Sequence, residues 1–141
     1  MKLPPKEKVY EAWTAIEDNR VSLHADYATV KSSDDSKEYT VRFDGDVYAS
    51  DDNATYWRGY PGYPVVAVLM LQGRLPFDAE VAHLWKDVNW KEINTRFKNR
   101  YTEAVAFVAQ ERSIDMALSE KAADEVMAAL EKLPLTIKRK I

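Results

Sequence analysis

The sequence contains no cysteine, so disulfides, thiolate metal sites and thiol nucleophiles are all excluded. Only two histidines are present, and an active site would have to rest on carboxylates, lysines or tyrosines. Long apolar runs are also missing: the longest, Val65 to Leu71, is far too short to span a bilayer. Residues Met1 to Lys8 lack the apolar stretch of a signal peptide, and a soluble, cytosolic protein is the expectation. Glycine and proline are too scarce, at 4 and 6 residues, for a collagenous or low-complexity chain. No G-x-S-x-G elbow, G-x-G-x-x-G or Walker loop, or H-E-x-x-H helix occurs, and the enzyme classes built on those motifs drop out.

What is present fits one globular domain spanning residues 1–141. Its 46% hydrophobic and 30% charged residues suffice for a packed core under a charged surface. A net charge of -3 repels a phosphate backbone, so nucleic-acid binding would need a local basic face.

Periodicity orders the chain. Pro4 and Pro5 suit a helix start, and Val9, Ala12, Trp13 and Ile16 follow at i, i+3, i+4, i+7. From Val21 the period becomes two: Val21, Leu23, Ala25, Tyr27 and Thr29 read as one half-buried strand. A turn at Ser32–Ser36 precedes the alternation of Tyr39, Val41 and Phe43, and Gly45 marks a bend. The strand resumes through Val47 and Tyr48, turns at Asp51–Asn53 and returns through Thr55 and Trp57. The expected sheet is a three-stranded antiparallel meander over about residues 20–58.

Val65–Leu71 is apolar on every side; its valines favour a strand, but Pro64, Leu69–Leu71 and Gly73 favour a core helix, the reading adopted. Asp78 caps a helix carrying Val81, Leu84, Trp85 and Val88, and Asn89 caps a longer one from Trp90 to Arg112. Ser119 is expected to cap the last helix, which Pro134 ends, leaving 135–141 as an edge strand or frayed tail. The fold class is α+β, with an N-terminal helix and four or so C-terminal helices packed on one face of the meander.

The most unusual segment is the loop 56–64, where Tyr56, Trp57, Tyr60 and Tyr63 fall within eight residues stiffened by Pro61 and Pro64. Rings with polar edges plus Arg58 offer large contact area at small ordering cost, as interaction hot spots do. Aromatics at the end of a sheet also serve simply to cover a core. The leading expectation is a small non-catalytic binding module that uses this loop, with Trp57, Arg58, Tyr60 and Tyr63 as anchors. Its partner would be another protein, a second copy of itself or a small ligand, with no cofactor, metal or membrane.

The alternative is a carboxylate-based enzyme using Asp44, Asp46, Glu80, His83 and Asp87, the last three placed on one helix face. An EF-hand count from Asp44 fails, with Ala49 where glycine is needed and Thr55 where glutamate belongs. Lys91, Arg96, Lys98 and Arg100 with Lys138–Lys140 would make a phosphate-contacting surface, diluted by Glu92, Glu103 and Glu111.

Overall fold

The first apolar stripe forms α1 (Lys8–Glu17) in the computed structural model, which describes residues 1–141. Four strands follow, β1 (Val21–Leu23), β2 (Tyr27–Lys31), β3 (Glu38–Asp44) and β4 (Val47–Ser50), each antiparallel to the one before. A single π-helical turn, Ala54–Arg58, leads to α2 (Tyr63–Leu71). The helices α3 (Ala79–His83), α4 (Trp90–Arg96), α5 (Tyr101–Arg112) and α6 (Met116–Lys132) complete the helical part. The chain then returns as β5 (Thr136–Lys138), parallel to β4, giving a five-stranded mixed sheet in the order β1-β2-β3-β4-β5. The class is α+β, and no helix is long and apolar enough to cross a membrane.

The expected core helix is α2, and its position explains a sequence with no polar side. It lies between the sheet and α1, so Val65, Val66, Ala67, Val68 and Leu69 are all fully buried. Pro64 sits in its first turn, and Gly73 ends it with φ +75°, a conformation glycine adopts without steric cost. Asp78 and Asn89 cap as expected, accepting hydrogen bonds from the amides of Val81 and Glu92.

Four expectations are corrected. The single strand over 21–29 is two strands, because the chain turns at His24–Asp26, where the His24 amide donates to the Tyr27 carbonyl at 2.8 Å. The turn reverses the phase, so Ala28 and Val30 face the core instead of Tyr27 and Thr29. Thr55 and Trp57 lie in the π-helical turn instead of a third meander strand, and the meander has four strands, extended by β5. The helix expected over 90–112 is two, broken where Lys98 and Asn99 take φ of +53° and +61°. Asp115, not Ser119, caps α6 by accepting from the Ala117 amide. Ser119 is buried instead and accepts the Trp85 indole N–H at 3.1 Å.

One apolar cluster of 30 buried residues draws on α1, the sheet and every later helix. At its centre Thr14 Oγ donates to the Trp85 carbonyl at 2.6 Å and accepts from Trp90 Nε1 at 2.8 Å, so the buried polar groups of three segments satisfy one another.

Candidate functional site

The aromatic loop is organised by one buried acid. Asp52, just beyond β4, accepts hydrogen bonds from Ser50 Oγ, from the Thr55 amide at 3.1 Å and from Thr55 Oγ1 at 3.1 Å. Thr55 Oγ1 accepts in turn from the Gly62 amide at 2.9 Å, clipping the far end of the loop to its start. Burial pushes the Asp52 carboxyl up, while the hydrogen bonds from Ser50 and Thr55 oppose the rise. A side chain at Gly62 is excluded by contact, since a Cβ there would stand 2.1 Å from Asp52 Oδ2.

Folded this way, the loop becomes one wall of a cleft of about 340 Å3. Arg58, Tyr60 and Tyr63 line it, facing Tyr39 of β3, Lys8 and Glu11 of α1, Trp90, Lys91 and Asn94 of α4, and Tyr101 of α5. Arg20, just beyond α1, and Lys37, in the turn before β3, complete the cationic lining. The volume falls within the range of small-molecule sites, and the lining is mainly polar with aromatic faces.

A buried ion pair on one helix also lines the cleft. Lys8 Nζ lies 3.1 Å from Glu11 Oε2, with both side chains nearly inaccessible. The Lys8 ammonium also lies 4.1 Å from the centre of the Tyr101 ring, and Asn94 Nδ2 donates to Glu11 Oε1 at 3.4 Å. Burial alone would lower the Lys8 pKa, but the Glu11 carboxylate and the Tyr101 hydroxyl outweigh it and the net shift is upward. Burial raises the Tyr39, Tyr60 and Tyr63 hydroxyls, which therefore remain protonated donors at neutral pH.

Arg20 is a largely buried cation whose carboxylate contact is long. Its side chain is only 8% exposed, its Nη1 donates to the Lys31 carbonyl at 2.6 Å, and the nearest carboxylate oxygen, on Asp18, is 3.9 Å from Nε. That Nε is buried without a hydrogen-bond partner. Lys37 and Arg58 form no ion pair, whereas Lys91 pairs with Asp34 at 3.5 Å.

This chain belongs to the family described as Uncharacterised conserved protein UCP014422, whose model matches residues 1–136. No curated protein and no solved structure matches it. The matched span contains every residue that lines the cleft.

Of the four loop residues singled out by the sequence, three come together and one does not. Arg58, Tyr60 and Tyr63 line the cleft, with Tyr60 buried and the Tyr63 ring edge-on to Tyr39 at 6.3 Å. Trp57 lies outside it, 66% exposed, edge-on to Tyr56 and beneath the Arg139 guanidinium at 5.4 Å. Three of the five residues of the carboxylate set have separate contacts: Asp46 pairs with Arg74, His83 with Glu17, and the Asp87 backbone amide donates to Asp18. Glu80, His83 and Asp87 do not share a helix face, because α3 ends at His83 and Asp87 takes φ +61°. The basic set divides as well: Lys91 enters the cleft, Arg96 pairs with Glu92, and Arg100 pairs with Glu103.

Sequence reasoning missed Lys8, Glu11, Arg20, Asn94 and Tyr101. The available signal was the i, i+3 spacing of Lys8 and Glu11 beside the apolar stripe, which looks like an ordinary surface pair until α1 proves to be buried all round from Lys8 to Ala15.

Proposed function

We propose that this protein is a small non-catalytic binding module whose ligand is a small polar molecule held in the cleft between the 56–64 loop, α1 and the α4–α5 pair. The observation that carries this reading is where the loop's side chains go. Three of its four anchors turn inward onto a concave surface that also holds a buried ion pair, tyrosine hydroxyls and an under-compensated arginine. Flat partner surfaces engage exposed aromatic anchors, whereas concave sites with a few convergent polar groups suit small molecules. We read residues 1–141 as one folding unit, because a single core joins all its parts.

Native mass spectrometry of the gently purified protein tests the proposal. A retained non-protein mass is expected, and it should be lost in Tyr101→Ala, which strips one wall while leaving the cleft floor in place. A mass that survives that change, or a bare chain from every source, counts against the cleft as a ligand site.

A second reading rests on Trp57. Its large exposed ring under Arg139, beside the β5 edge of the sheet, suits contact with another protein or a second copy. Trp57→Ala should then shift sedimentation toward a smaller species at unchanged stability; identical sedimentation of both proteins removes this reading.

A further inference from the structure

The charges around the cleft do not cancel. Five cationic side chains, Lys8, Arg20, Lys37, Arg58 and Lys91, line it against two carboxylates, Glu11 and Asp52, in a protein whose net charge is -3. Both carboxylates are already engaged: Glu11 by Lys8 and Asn94, Asp52 by Ser50 and Thr55. Among the cations, Lys8 is matched by Glu11 and Lys91 by Asp34. Arg20 reaches a carboxylate, Asp18, only at 3.9 Å and leaves its buried Nε without a hydrogen bond, while Lys37 and Arg58 are exposed without an ion-pair partner. A desolvated cation short of partners is costly, and a bound anion that supplies them recovers the cost.

We infer that the ligand of this cleft carries a compact doubly charged anionic group, a phosphate monoester or a short dicarboxylate, held by Arg20, Lys37 and Arg58. The inference rests on the small-ligand reading above and adds the charge of the ligand to it. A monoanion would leave most of the cationic excess in place, and a cation would meet it directly. Guanidinium groups match the planar edges of carboxylate and phosphate oxygens, and a lysine adds a point charge without demanding one geometry. The protonated tyrosine hydroxyls of Tyr39 and Tyr63 supply neutral donors for the ligand's remaining oxygens.

The test is an amide NMR titration of the full chain at constant ionic strength, with chloride as the balancing ion. The probes are inorganic phosphate, malonate, acetate and glucose. Saturable shifts at Arg58, Lys91, Asn94 and Tyr101 are expected with phosphate or malonate, and weaker ones with acetate. Whichever dianion binds tighter names its source. Arg58→Gln and Lys37→Gln, both at exposed positions, should each weaken that dianion about tenfold, while Lys121→Gln on α6 leaves it unchanged. Acetate shifting the same amides as strongly as the dianions, or Lys121→Gln weakening binding as much as Arg58→Gln, overturns the inference. Glucose moving the cleft amides while no anion does also overturns it, but spares the small-ligand reading. Silence from all four probes overturns both.

Discussion

Two buried polar clusters sit on α1, less than two turns apart, and they are built on opposite principles. Around Thr14 the groups are neutral, the Thr14 hydroxyl and the Trp90 indole N–H each find an acceptor, and the cluster ties α1 to Trp85 and Trp90. Around Lys8 and Glu11 the groups are charged, nearly inaccessible, and joined to a cleft with unmatched cations. The neutral cluster has the chemistry of a fastening. The charged one carries the desolvation cost of two buried charges, so hydrophobic residues of the same size would match or exceed it in stability.

The sharpest way to break the comparison is Glu11→Ala, which strands the buried Lys8 ammonium and should cost about 4 kcal/mol in urea unfolding. The double change Lys8→Met with Glu11→Leu should recover most of that loss; a double variant as unstable as the single one would mean the pair is a fastening too. Gly62→Ala comes next, at about 3 kcal/mol, because the new methyl meets the Asp52 carboxylate and unclips the loop wall. Thr14→Val should cost about 2 kcal/mol by orphaning the Trp90 indole N–H, with no change in dianion shifts at the cleft.

The smallest effect concerns the rim. Hydrogen bonds from Ser36 and Ser32, with Lys91 nearby, hold the Asp34 carboxyl well below the usual aspartate range. A depressed folded value means stability that is present above the ordinary aspartate pKa, about 3.9, and lost as pH falls toward the folded one. Unfolding midpoints followed into acid should therefore decline less steeply in Asp34→Ala than in the unaltered protein, and parallel slopes would show that this turn adds nothing.

The helices were legible because their signals are local. The Val9–Ile16 stripe, the caps at Asp78 and Asn89, and the Pro64 and Gly73 boundaries of α2 each need only neighbours in sequence. The sheet was less so, since the alternation from Val21 to Thr29 runs unbroken across a turn made of His24, Ala25 and Asp26, residues without glycine or proline to mark it. Lys98 and Asn99 likewise break a helix whose apolar pattern continues on both sides. The cleft was half legible: its loop wall stood out by composition, and Arg58, Tyr60 and Tyr63 were found there. Its opposite wall was hidden, because Lys8, Arg20, Asn94 and Tyr101 come from separate segments that only the packed fold brings together.

The parallel pairing of β4 with β5 sets the order of assembly. Strands β1 to β4 can zip from turn to turn, but Val47 meets Thr136 only after every helix between them has been laid down. Closing so long a loop offers no local reward along the way. The last strand should therefore dock late in folding and open first, and its amides should be the earliest in the sheet to trade their hydrogens for deuterium.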